Sequence, residues 1–320
     1  MSGAAPAIPF SSNQHRRGSM KLTRKQFRLS MGLAASHAAE AAPEAPPGRP
    51  KVLLVVAHPD DEYTFAATVY RLAKELHRTV DQVVITNGEA CYRCSQLAEQ
   101  FYNASLTNEH VGRSRLPAIR RRETLAAGRV PGIRDHQFLK QKDSRFTLDA
   151  SEPLQLRDIH SIVRALTARM QHERYDFVFT LLPTAGTHGH HKVATLLALE
   201  AVARLPEDLR PAVLGGDPAA ADAVLKYEIF PGHPETAPYT EAPVFRFDVT
   251  ARFGFRQSLN YQIVVNWMIA EHKSQGLFQT DCNKHDEERF WLYAQSGPQA
   301  MDRTKQLFDH LAPHVESAAQ

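Results

Sequence analysis

Several features are scarce in this chain. Only three of its 320 residues are cysteine: Cys91, Cys94 and Cys282. Cys91-Tyr92-Arg93-Cys94 is a lone Cys-x-x-Cys. No second such pair exists to complete a zinc knuckle, and Cys282 is far away with only His285 close by. The cysteines are therefore expected to be incidental, with a disulfide or a redox thiol pair as the alternative, and they do not fix a redox compartment. No apolar run approaches the roughly 18 residues of a spanning helix. An excess of charge of one sign is nearly absent too, with 38 Lys and Arg against 35 Asp and Glu. A net charge of +3 argues for neither nucleic acid nor a membrane surface as partner. No internal repeat is present.

What remains is ordinary for a soluble globular protein, with 43% hydrophobic and 23% charged residues in a chain long enough for a sizeable core. The first 49 residues differ from the rest. They are rich in Ala, Pro, Ser and basic residues without apolar periodicity, a composition that reads as disordered. Within them Thr23-Arg24-Lys25-Gln26-Phe27 resembles a degenerate twin-arginine export signal. Met20 would be a natural start for it, while Arg28, His37 and Glu40 interrupt its apolar part. Export is the expectation, and a cytoplasmic tail is the alternative. Residues 50–320 are expected to form one α/β domain with a Rossmann-like, mostly parallel sheet flanked by helices.

The informative stretch is residues 51–62. Residues 51–57 are almost all apolar and Val-rich, as suits a strand buried on both faces. The run stops in His58-Pro59-Asp60-Asp61-Glu62. Phe65, Val69, Leu72 and Leu76 then recur at helical spacing. Polar groups thus gather at the carboxyl end of a strand, where open α/β sheets place ligands. No glycine-rich phosphate loop follows this strand, which disfavours a nucleotide-binding Rossmann enzyme. His58 and two carboxylates make an incomplete metal site, since a catalytic zinc usually has three protein ligands and a water. Thr187-His188-Gly189-His190-His191, after another apolar run, offers the missing one. Otherwise Asp60 and Asp61 would merely cap the following helix.

Further strands are expected at residues 82–86, 133–139 and 176–182, with others at 212–214, 226–230 and 245–249. Helices are expected at about 119–127, at 154–171, from 191 onward, at 262–272 and at 301–311. The helix after His191 is apolar nearly all round and so is expected to be buried. Asn87-Gly88-Glu89 is a turn signal at the end of the second strand. Residues 90–115 read as a long polar connection at the same edge.

The sequence His58-Pro59-Asp60-Asp61-Glu62 resembles the signature of LmbE-like, or PIG-L-like, zinc de-N-acetylases. His188-Gly189-His190-His191 is similar to the His-x-x-His of that family, and the likeness runs from about residue 51 to at least 275. It implies His58, Asp61 and His191 as ligands of Zn2+, with Fe2+ or another divalent ion as the alternative. Asp60 beside the ligand Asp61 is then free to act as base. His188 is implied in oxyanion stabilisation or proton donation. Arg120 and Glu123 match the family's Arg-x-x-Glu, whose Arg reaches toward substrate; a solvated helix face is the other reading of Arg120-Arg121-Arg122. Thr86-Asn87-Gly88-Glu89 and His272-Lys273-Ser274-Gln275 are also similar to family features. His190 departs from the pattern, which often has Asp there, and so could replace His191 on the metal. His136, His160 and His233 are read as surface or packing residues.

The expected activity is metal-dependent removal of an N-acetyl group, from an N-acetylglucosaminyl or related amino-sugar compound. The rivals are an amidohydrolase acting on a non-sugar amide and a carbohydrate-binding protein without turnover. The implied partner is a small N-acetylated sugar or conjugate; self-association is left open.

Overall fold

The computed structural model of the chain describes residues 50–155, 157–276, 285–296 and 299–312. The export signal expected in residues 1–49 lies outside the described residues. Among the described residues no helix is long and apolar enough to cross a membrane.

The first strand, β1 (Lys51–Val56), is buried on both faces, as its unbroken apolar run requires. Val52, Leu54 and Val56 face one side and join a core containing Phe65, Phe179 and Phe290. Leu53 and Val55 face the other and join Val163, Val178 and Leu197. After β1 the chain enters a 3-10 turn (Asp61–Phe65), then α1 (Ala66–Tyr70) and a π-helical turn (Arg71–Glu75). Next come β2 (Thr79–Thr86), a 3-10 segment (Glu89–Ser95), α2 (Ala98–Tyr102) and α3 (Glu109–Arg129). Residues 90–115 are therefore largely helical, contrary to the expected long connection. α3 begins ten residues before the expected 119, because the Asn108 side chain accepts from the Val111 amide and caps an earlier turn. Pro117 inside α3 is what obscures its continuity.

β3 (Asp135–Gln141) is followed by α4 (Ser151–Gln155) and α5 (Ile159–Glu173). The single helix expected over 154–171 is broken where the Asp158 side chain accepts from the Ser161 amide and starts a new helix. β4 (Phe177–Leu181), α6 (Gly189–Ala203) and β5 (Ala212–Ala219) follow. Residues 226–230 were expected as a strand but form only a single bridge, Phe230 to His233. β6 (Phe245–Asp248), the short pair β7 (Arg252–Phe253) and β8 (Leu259–Asn260), and α7 (Gln262–Glu271) come next. The chain closes with β9 (Glu287–Leu292) and α8 (Gln299–Leu311).

The main sheet has the order β3-β2-β1-β4-β5-β9-β6. Its first five strands pair parallel, while β9 runs antiparallel to both β5 and β6. The expected mostly parallel α/β sheet is thus present, and β9 is an addition the sequence reading missed. Its Glu-Glu-Arg start hides it, yet Glu288 is buried and accepts from the amides of Ala67 and Thr68 at 2.8 and 2.9 Å. That carboxylate satisfies amides at the start of α1 that have no partner within the helix.

One feature of this order positions the site. The chain leaves β1 toward β2 on one side, while β4 pairs with β1 on the other. The strand order reverses there, and in open α/β sheets the loops diverging from such a point leave a crevice at the carboxyl ends. The loops after β1 and β4 are those that carry His58 to Asp61 and His188 to His191.

Candidate active site

The turn after β1 is closed by one of its own carboxylates. Asp61 Oδ2 accepts from the amides of Ala57 and His58 at 2.9 and 2.7 Å. This leaves Oδ1 directed at His191, whose Nε2 lies 3.0 Å away. To make the turn, Asp60 takes φ 111°, a left-handed conformation costly for a residue with a Cβ, about 1–3 kcal/mol. It is held there by its amide donating to Glu62 Oε2 at 3.0 Å and its carbonyl accepting from Tyr63 N at 3.1 Å.

His58 Nδ1 lies 3.0 Å from His191 Nε2 and 3.6 Å from Asp61 Oδ2. Three donors bound to one ion at about 2.0–2.2 Å stand roughly 3–3.5 Å apart, so this set fits a divalent cation without rearrangement. The His58 and His191 rings meet edge-on, at 63°. A second set, His58, His188 and His190, also brings its donor atoms close together, but it lacks the carboxylate and would take His58 through Nε2. That nitrogen lies 3.1 Å from His190 Nδ1, itself in the second set, and 3.8 Å from Asp143 Oδ2. A ligand imidazole typically has its other nitrogen fixed by such a partner. His190, almost fully buried, sits 3.0 Å from Asp143 Oδ1 and 3.3 Å from Ser144 Oγ. The geometry therefore puts His191 in the first set and His190 behind His58.

The electrostatics follow from this packing. Burial pushes the Asp61 carboxyl up, but the His191 and His58 rings outweigh it and hold it well below the usual range. Burial lowers His58, yet Asp143, Asp61 and Asp60 together bring it above its ordinary value. Asp143 is likewise held ionised, chiefly by His58 and His190 against its own burial. His188 is pushed down to about 3 by burial and by the three neighbouring imidazoles, so it is neutral at physiological pH. Asp60 goes the other way. Burial and then the Asp61 charge push it up to about 7, against the pull of His272, Arg120 and His58.

Arg120 is not on a solvated face. It is 1% exposed and donates from Nη2 to the Cys91 carbonyl at 3.0 Å, in contrast to its exposed neighbours Arg121 and Arg122. The adjacent backbone must be glycine. Gly88 has φ 69°, and a Cβ there would come within 2.9 Å of Arg120 Nη1 and 3.0 Å of Pro59. Cys91 and Cys94 are joined as a disulfide, which corrects the expectation of incidental cysteines and shapes the turn whose carbonyl holds Arg120. Glu123, one α-helical turn on, accepts from Tyr102 Oη, Ser274 N and Ser274 Oγ. It ties α3 to the His272-Lys273-Ser274-Gln275 segment. His136 packs against Phe138, as a packing residue should.

The loop after β3 clasps the start of α6. Thr147 O accepts from Gly189 N at 2.7 Å, and Leu148 O accepts from Lys192 Nζ at 2.8 Å. A Cβ on residue 189 would lie 2.3 Å from the Asp149 carbonyl oxygen, so only glycine lets this loop touch the helix between the histidines. Asp143 belongs to this loop and was missed as a site residue. Its signal was positional: like Asp60 and Asp61, it follows a parallel strand at the carboxyl edge. The partnership of Glu62 with His272 was also missed, because nothing local links residues so distant.

Residues 53–202 match the family described as GlcNAc-PI de-N-acetylase, PIG-L. The matched stretch is just under half of the chain. It includes every residue from His58 to His191 placed above, while His272, Ser274 and Glu288 lie beyond it. Among curated proteins the chain is similar to “Probable N-acetyl-alpha-D-glucosaminyl L-malate deacetylase 2” of Bacillus cereus, 28% identical over 51% of this chain and 65% of the relative. The Bacillus anthracis protein of the same name is 30% identical over 50% of this chain and 62% of its own. The chain thus spans just under two thirds of these relatives' lengths. Among solved structures, N,N'-diacetylchitobiose deacetylase from Pyrococcus horikoshii aligns over 87% of this chain and 95% of its own, with a TM-score of 0.49 and 18% identity.

Proposed function

We propose that this protein is a metal-dependent hydrolase that removes an N-acetyl group from an N-acetylglucosaminyl or related amino-sugar compound. The convergence of His58, Asp61 and His191 beside a carboxylate tuned to about 7 supports this reading most strongly. The names of the PIG-L family and of the Bacillus relatives point to the same substrate class. His58, Asp61 and His191 would hold the ion, zinc by preference and ferrous iron as the alternative. When bound there, the ion supplies Lewis acidity and brings a water toward ionisation near neutral pH.

Asp60 serves as the base. Its pKa near 7 matches what a general base needs at neutral pH, because about half of it is ionised and the ionised form still attracts a proton. It accepts the proton of the attacking water and returns it to the leaving amine nitrogen, so acetate and a free amine are the products. His188, neutral, acts as a hydrogen-bond donor to the acetyl oxygen rather than as a cation. Arg120 is enclosed, so we assign it to holding Asp60 ionised in place of direct substrate contact. Asp143 and His190 orient His58 from behind. Export by way of residues 23–27 stays part of the proposal; fractionation that finds full-length chain only in the cytoplasm contradicts it.

The test is acetate release from a panel of N-acetylated sugars and non-sugar acetamides by metal-loaded protein. Turnover of sugars is expected. Turnover of only non-sugar amides makes the protein a different amidohydrolase. Sugar binding without acetate release makes it a binding protein.

A further inference from the structure

Phe146 stands out at the rim of the site. It is 73% exposed, although its phenyl ring has every reason to be buried. It is also placed with care: its ring lies parallel to that of His188, at 2° and 4.8 Å between centroids. His188 in turn packs against His190 at 4.7 Å and His58 at 5.1 Å. One part of the phenyl ring therefore rests on the stack of imidazoles, and most of the rest meets water. The segment bearing it is pinned on both sides, by Ser144 Oγ at His190 Nε2, by the Arg145 pair with Glu152, and by Thr147 O at Gly189 N. A single exposed aromatic needs no explanation by itself. One held flat against a residue of the site, with its remaining surface open, has the form of a contact surface.

The chemistry of that surface is specific. An aromatic face is apolar and carries partial negative charge. A pyranose presents the complement, a flat face of C–H groups with hydroxyls directed outward. A linear acetamide has no such face. We propose that Phe146 is a stacking platform for the sugar ring of the substrate, and that it makes the site prefer cyclic amino sugars to acyclic amides. This rests on the reading above, in which His188 meets the acetyl oxygen and the ring attached to the amide must lie next to it.

The experiment reads binding before turnover, using metal-loaded full-length chain. Affinities for N-acetyl-D-glucosamine and for acyclic N-acetylethanolamine are measured by saturation-transfer NMR titration, for wild type, Phe146→Ala and Phe146→Trp. Phe146→Ala is expected to weaken sugar binding about threefold to tenfold, the worth of an aromatic contact. It should leave N-acetylethanolamine unaffected, and Phe146→Trp should restore the sugar. Equal sugar binding by wild type and Phe146→Ala, or no sugar binding by wild type, overturns the platform. Equal weakening of both ligands also overturns it, since Phe146 would then only support His188. Acetate release is read on the same samples. If binding behaves as expected but no acetate appears, the platform stands and the deacetylase reading falls.

Discussion

His272 Nε2 lies 2.7 Å from Glu62 Oε1, joining residues 210 positions apart inside the protein. The other oxygen of Glu62 accepts from the amide of Asp60 and from Gln82 Nε2. One buried carboxylate thus supports the strained residue read as the base and fastens it to the end of α7, outside the PIG-L stretch. Burial opposes the charge on both partners, but each outweighs that cost for the other: Glu62 is held below its ordinary value and His272 above its own.

Breaking this pair should destabilise the protein strongly. His272→Ala leaves Glu62 buried without its cation and should cost about 3 kcal/mol, read as a lower midpoint in urea. The double variant with Glu62→Gln should cost less than the sum of the two. The pH dependence has a definite sign. The Glu62 contribution is present above its unfolded value of about 4.3 and fades as pH falls through the lower folded one. The His272 contribution is complete below its unfolded value of about 6.5 and fades as pH rises through the higher folded one. The gap between wild type and the variants should therefore be widest between about pH 4.5 and 6.5. A gap that does not change with pH would show that the pair is not ionic.

Purified protein should hold about one divalent ion per chain, and His58→Ala, Asp61→Ala and His191→Ala should each lose most of it by elemental analysis. His190→Ala should keep the ion but bind it more weakly, by about tenfold or more, because it takes away a partner of His58. If His190→Ala is empty while His191→Ala stays loaded, the ligand is His190. Affinity should fall with acid, since the imidazoles must be neutral to bind.

Asp60→Asn should retain metal and lose about two to four powers of ten in kcat. KM should change little, because proton removal belongs to the transition state. In the wild type the ionised base is the active form, so the rate should rise with pH through about 7, and this limb should vanish in Asp60→Asn. Arg120→Gln removes a positive neighbour that lowers the Asp60 pKa, and should move the same limb to higher pH. A limb that stays in place in both variants would assign it to another group.

Gly189→Ala should damage the site without removing any functional group. The added methyl meets the Asp149 carbonyl at 2.3 Å, so the loop over α6 must shift. A loss of about 1–3 kcal/mol is expected, with lower metal occupancy as His191 moves with the helix start. Normal melting and full occupancy would show that the clasp is dispensable.

The sequence by itself determined the strands that are apolar almost throughout, β1 and β4, because such a run has no stable place except inside a sheet covered on both faces. It also made His58, Asp61 and the histidines of residues 188–191 legible as a candidate metal cluster, because they follow or open such elements at the carboxyl edge; His191 was singled out there only by the family resemblance, with His190 left open. β9 was not legible: its polar start is tolerable only because Arg289 finds the Ala220 and Ala223 carbonyls and Glu288 finds the amides of α1, partners supplied by distant chain. The burial of Arg120, the placing of His190 behind His58 rather than in the first set, and the roles of Asp143 and His272 were likewise decided only by the tertiary structure. Each concerns a polar group whose cost of burial is met by a partner far away in sequence. Apolar periodicity is written along the chain, whereas the pairing of buried charges exists only once the chain has closed on itself.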